Sequence, residues 1–380
     1  MRFDRIPIPG GAEERVWQTL AAAFAGRVPN PQPRLLRTRV PVAVAAVVAA
    51  LALAAAALSA SGTGVVSGLR RALGVEHASP VLARLPAQGR VLVEADSGLW
   101  LVDADGSRRR LAGPGTRQGV WSPHGLFEAA VVGGDELAAL DPRGRVRWRL
   151  DRPAVGDPRW SGDGYRIAYR SGGSLRVVAG DGSGDRLIAA RVAPVAPAWI
   201  GATHDLAFVA RDDRVHLVDA DTGRTIWISA GLPRPLQLVA TAARVLVLER
   251  AGIGVIAAGS GAVSSTIPLA PGAHTVAASA SGTIAVTTPA GAAQTSIVLV
   301  QAGRRSTRLL FRGAGTFSSL AWAPDGRWLL ASWTTADQWV FVEVDPATGA
   351  PRRVEAISAI AHNFGARPSV QVGGWCCSAR

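Results

Sequence analysis

An all-β fold of repeated four-stranded units follows from three observations. Trp121, Trp160 and Trp199 open the phrases WSPHG, WSGDG and WIGATHD, separated by two steps of 39 residues. A second family of turns recurs between short apolar runs, in LWLVDADGSRRRLA (99–112), VHLVDADTGRTIWI (215–228) and VFVEVDPATGAPRRV (340–354). Units of this kind tile residues 85–375 with no gap longer than a few residues. Four strands of five or six residues with short turns occupy about 40 residues, the size of one β-propeller blade.

The phrase AWAPDGRWLLASW (321–333) shows why each unit folds as it does. Proline sets φ for the second position of a type I turn, aspartate bonds back to the local backbone, and glycine takes the positive φ that closes the corner. Beyond the corner, RWLLASW carries the aromatic and aliphatic side chains that suit a half-buried strand. The same step places further units at Leu238 and Ala277, and a unit at Leu85 precedes Trp121. With the unit opening at Trp322, the count is seven blades, to within one. The last unit runs 53 residues to Trp375 in VQVGGWCCS, which predicts a terminal strand closing the ring on the first blade. The tryptophans Trp121, Trp160, Trp199, Trp322 and Trp375, with Trp148 and Trp227 at the ends of DPRGRVRW and DADTGRTIW, are expected to be structural anchors packed between sheets.

Residues 40–60, VPVAVAAVVAALALAAAALSA, carry no charge. As a helix they would span about 31 Å, close to the hydrocarbon thickness of a bilayer. The run is longer than a signal-peptide core, and 39 residues precede it, so a retained signal anchor is expected. Arg27, Arg34, Arg37 and Arg39 before it favour a cytosolic N-terminus, with the propeller, residues 85–380, outside the cytoplasmic membrane. Residues 1–39 form a cytosolic tail in which AEERVWQTLAAAF predicts an amphipathic helix over about 12–25. Val16, Leu20 and Phe24 share its face with Trp17 beside them, a surface for the bilayer interface or for a cytosolic partner. Residues 61–84 read as a juxtamembrane stalk.

The net charge is +13, and all 41 basic residues are arginine. After residue 60 there are 34 arginines against 25 acids, a net charge of +9. Apart from RRR at 108–110 the arginines are scattered, without a recognition-helix pattern, so nucleic acid is not expected as a partner. No G-x-S-x-G elbow occurs, and without lysine there is no Walker A loop. The six histidines are dispersed, and DGSGD (181–185) lacks the later ligands of a calcium loop. Asp212 and Asp213 fall in a predicted turn, and Cys376 and Cys377 read as two thiols of a tail strand, with pairing between chains as the alternative. No catalytic, cofactor-binding or metal-binding residue is assigned, and no enzyme is expected.

WSPHG, WSGDG and WAPDG, each followed by an apolar strand, resemble the WSPDG-type repeats of TolB-like propellers, which also occur in prolyl oligopeptidase-type peptidases. DPRGRVRW and DADTGRTIW resemble the tryptophan-docking repeats of quinoprotein-like propellers. The whole layout is similar to membrane-anchored propellers of high-GC Gram-positive bacteria. The resemblance implies a WD-repeat-like ring and partners in the cell envelope, proteins or wall polymer. The amino-terminal domain of TolB proteins has no counterpart here. The expected function is a non-catalytic, extracytoplasmic scaffold or sensor. The alternatives are a transmembrane regulator of anti-sigma type, relaying propeller binding to residues 12–25, and an enzyme with a cryptic axial site.

Overall fold

The computed structural model describes residues 78–79, 82, 84–250, 252–301, 306–365 and 370–377. They form seven sheets, each with four antiparallel strands and one with a fifth strand added in parallel, consecutive along the chain and arranged as a ring. Blades two to six each use four successive strands, starting at Thr116–Trp121, Val155–Trp160, Ala198–Trp199, Gln237–Ala240 and Thr275–Ala278. Blade seven runs from Phe317–Trp322 to Pro351–Ser358. Blade one takes three strands from its own repeat, Arg90–Ala95, Gly98–Val102 and Arg108–Ala112. Its innermost strand is the carboxy-terminal Gln371–Cys376, with Val91 opposite Trp375. The ring therefore closes by joining the two ends of the repeat array, with Arg90–Ala95 paired to the carboxy-terminal strand.

The corners are built as their residues dictate. Gly125, Gly164 and Gly326 donate from their amides to Ser122, Ser161 and Ala323, each at 2.9 Å, and each has positive φ. In the second turn family the aspartate side chain caps the corner: Asp141 Oδ1 accepts from the amides of Arg143 and Arg145, and Asp345 Oδ1 from those of Ala347 and Thr348. These backbone bonds hold both carboxyls below their usual range.

The core is divided among the blade interfaces. Among the described residues it falls into seven apolar clusters, one between each pair of neighbouring blades. The closure interface is the most aromatic, with Trp328, Trp339, Phe341, Phe364 and Trp375 buried together. A one-turn helix, Ile360–Asn363, follows blade seven and delivers Phe364 onto Trp339, with ring centres 5.7 Å apart.

Two expectations are corrected. The end of the expected stalk belongs to the fold: Ala78–Ser79 pairs in parallel with Pro351–Ser358 as a fifth strand on blade seven, and Leu82 and Leu85 are buried. Covering that outer edge satisfies backbone groups that four strands would leave open. Cys376 and Cys377 are bonded to each other, not free thiols, and they lie where the closing strand meets the blade-two corner. Cys377 Sγ lies there 3.3 Å from the Pro123 carbonyl. Among the described residues no helix is long and apolar enough to cross a membrane. The expected span 40–60 and the helix carrying Val16, Trp17, Leu20 and Phe24 lie outside the described residues.

Candidate functional site

The repeat tryptophans sit at blade boundaries. On inner strands, Trp199 Nε1 donates to the Arg159 carbonyl of the preceding blade at 2.9 Å, and Trp322 Nε1 to that of Ala277 at 3.2 Å. Trp160 is buried between blades two and three, and Trp375 packs edge-on against Phe341 at 5.8 Å. Trp121 lies under the Arg90 guanidinium, 4.9 Å from ring centre to Cζ. The outer-strand pair docks in the other direction: Trp148 Nε1 donates to Gly180 of the next blade at 2.8 Å, and Trp227 Nε1 to Ala258 at 2.7 Å.

Around the inner strands a second set of bonds ties five of the seven neighbouring blade pairs. Glu94 accepts from the Gln118 amide, and Gln118 Oε1 accepts from that of Asp157 at 2.7 Å. Gln237 exchanges two bonds with Val276, His274 Nε2 contacts the Phe317 carbonyl, and Ser319 Oγ accepts from Val372. Gln118 and Asp157 hold φ near 54° and 55°, an unusual region for residues other than glycine, and both sit at strand irregularities. Polar groups near the axis are thus engaged in holding the ring. A cleft of about 310 Å³ between blades one and two is lined by Glu94, Thr116, Arg117 and Gln371. Burial there pushes the Glu94 carboxyl up, against the lowering effect of the Gln118 amide.

The densest polar constellation lies on the corner-bearing face, between blades three and four. Asp163 comes from the WSGDG corner, His204 from the equivalent corner of the next blade, and Asp221 from DADTG. His204 bridges the two carboxylates, Nδ1 to Asp221 at 2.5 Å and Nε2 to Asp163 at 2.9 Å. Arg166 holds Asp221 with a two-pronged bond at 2.7 and 2.8 Å, and Arg186 adds a third at 3.1 Å. Burial raises the Asp221 carboxyl, but the bonds from Arg166 and His204 outweigh it and hold the group below its usual range. These side chains line a cleft of about 560 Å³ with Val177, Ala179 and the 72% exposed ring of Tyr165. Asp221 is held by two guanidiniums, and Asp163 accepts from the Ser161 hydroxyl and the Tyr165 amide, so the cleft presents an exposed aromatic ring beside carboxylates that already have partners. Among the described residues no group of three His, Cys, Asp or Glu side chains is placed to hold a metal ion.

Two features were not singled out from the sequence. The Asp163–His204–Asp221 bridge was hidden because its parts fall in two blades; the signal was a His and two Asp at equivalent corners. Glu128, in the apolar strand Glu128–Val132, is wholly buried, and neither carboxyl oxygen has a hydrogen-bond partner. Desolvation pushes its carboxyl up to about 8, partly opposed by the charge of Arg90.

The fold and its closure define a seven-bladed β-propeller of four-stranded blades with an inter-blade cleft on its corner face. No family model matches the chain, and no curated protein matches it. Solved structures do: the C-terminal WD40 domain of Sif2 is similar over 74% of this chain and 90% of its own, with a TM-score of 0.56 and 9% identity. The Cps50 (Swd1) β-propeller domain of Myceliophteria thermophila is similar over 62% of this chain and 85% of its own, with a TM-score of 0.50 and 15% identity. The dihydro-heme d1 dehydrogenase NirN is similar over 73% of this chain and 65% of its own, with a TM-score of 0.53 and 16% identity. At these identities the likeness establishes the fold, with WD40 propellers among its structural neighbours.

Proposed function

We propose that this chain is a non-catalytic, membrane-anchored scaffold or sensor whose TolB-like propeller binds cell-envelope proteins outside the cytoplasm. The cleft between blades three and four carries the reading. It combines an exposed aromatic ring with guanidiniums held in place by carboxylates, a pattern matched to protein surfaces rather than to bond-making chemistry. WD40 structural neighbours, among them a chain of the mitotic checkpoint complex, support the binding role. The apolar run 40–60 and the arginines before it support the anchor and its orientation.

The test is crosslinking of the tagged, full-length protein in its native membrane, with the captured proteins identified on each side. Capture of envelope proteins is expected, and Tyr165→Ala with Arg186→Ala should lower it about tenfold at an unchanged melting temperature, the loss of a small hot spot. Capture of a cytosolic factor through residues 12–25 would favour the transmembrane regulator instead. Unchanged capture in the double variant would remove the cleft from the binding surface.

A further inference from the structure

Two arginine runs that are separate in the sequence become neighbours in the fold. Arg108, Arg109 and Arg110 lie on the outer strand of blade one, Arg108–Ala112. Arg147 and Arg149 lie on that of blade two, Val146–Asp151, with Arg143 and Arg145 in the corner leading into it. All seven are exposed. The runs are joined directly: Arg109 Nε donates to the Pro142 carbonyl at 2.8 Å. Arg109 also pairs with Asp103 and Arg149 with Glu136, whereas the other five make no ion pair among the described residues. Arg108 instead donates to the Asn363 amide oxygen at 3.0 Å, reaching the segment that follows blade seven.

That edge is where the chain enters the propeller, because Ala78–Ser79 lies on the outer strand of blade seven, next to blade one. Between the apolar run ending at residue 60 and Ala78 there are 17 residues, a reach of at most roughly 60 Å even fully extended. From this placement we infer that the arginine ridge of blades one and two rests on the anionic phospholipid headgroups of the membrane in which the chain is anchored. The inference rests on the anchor reading of residues 40–60.

The chemistry fits a lipid surface. Guanidiniums without carboxylate partners on adjacent outer strands meet phosphate oxygens without first breaking an ion pair, and each adds to the attraction of such a surface. Val146, 41% exposed, adds an apolar side chain among the cations. A single-stranded nucleic acid would use free aromatic platforms, but both rings beside these arginines are engaged: Trp148 donates to Gly180 of blade three, and Trp100 lies beneath Arg110 and packs edge-on against Phe364.

The experiment places the full-length chain in nanodiscs of phosphatidylcholine alone or with about 30% phosphatidylglycerol, and follows amide exchange of residues 108–112 and 145–151. Exchange about fivefold slower in the anionic discs, restored by about 0.5 M salt, is expected. R108Q/R110Q/R143Q/R145Q/R147Q, which removes only the arginines without ion pairs, should abolish the difference at an unchanged melting temperature. Equal exchange in both discs overturns the ridge while leaving the anchor standing. Slowing that appears only when poly(glycerol phosphate) is added to the neutral discs would assign the ridge to wall polymer and overturn it as well. A chain that fails to insert, judged by carbonate extraction, sinks the anchor reading and the ridge together.

Discussion

Two buried carboxylates show how environment decides the sign of a pH effect. Glu128 is raised from its ordinary value to about 8 by desolvation, so the folded chain binds its proton more tightly than the unfolded chain. Its contribution is fully present below about pH 4.5 and is lost as pH rises towards 8, by roughly 5 kcal/mol in the limit. Denaturant midpoints between pH 5 and 9 should therefore fall for the native chain, and Glu128→Gln should flatten the profile and be the more stable form at pH 8. Parallel profiles would refute this account of Glu128. Asp185 behaves oppositely. Burial raises it, but bonds from Arg176, Tyr169 and Arg152 prevail and hold it below its usual range. Its stability is present above the unfolded carboxylate pKa and is lost as pH falls through the lower folded one. Asp185→Asn should cost about 2 kcal/mol at pH 7, less than a fully buried pair because both guanidiniums retain some exposure. The loss should shrink as pH falls through the unfolded carboxylate range, where the advantage of the lowered native carboxyl is progressively removed.

At the scale of strands and turns, tryptophan docking depends on the glycine it meets. A Cβ on Gly182 would stand 2.8 Å from the Trp148 ring, and one on Gly261 would stand 2.7 Å from that of Trp227. Both glycines also have positive φ. Gly261→Ala should thus cost about 2 kcal/mol, part from backbone strain and part from displacing the indole. Gly184, with positive φ but open space around it, supplies the control. Gly184→Ala should cost about 1 kcal/mol or less in the same thermal melts. Equal losses at the two positions would mean that the ring contact contributes nothing. The corner at DGSGD was readable as a turn from its Asp and Gly, whereas that at Gly261 has no Asp and was not singled out; the role of either as a socket for the neighbouring blade was not readable, since the indole comes from about 30 residues away.

For the whole molecule the decisive element is closure. Each blade buries its faces only against its neighbours, so an open ring would expose two faces and one inner edge. Trp375→Ala removes a buried indole from the closure core and should lower stability by about 3–5 kcal/mol. Ending the chain before Gln371 leaves Arg90–Ala95 as an unpaired edge strand. That shortened chain should aggregate or become protease-sensitive within blade one, as size-exclusion chromatography and limited proteolysis would show. A monomeric, protease-resistant product would mean that the remaining interfaces hold the ring without its closing strand.

What the sequence determined by itself was periodic. Trp-Ser-Pro-His-Gly and its variants, the Asx-Gly corners and the 39-residue step are local chemistry repeated at fixed intervals, and they were enough for the all-β class, seven units and a terminal strand at Trp375. What only the tertiary structure decided joins residues far apart along the chain. Examples are the Asp163–His204–Asp221 bridge, the burial of Glu128 beneath Arg90, the pairing of Ala78–Ser79 with blade seven, and the meeting of the arginine runs of blades one and two. The reason is physical. Turn and strand preferences act over a few residues, whereas desolvation and ion pairing depend on which blade lies alongside, and that is set only when the ring closes.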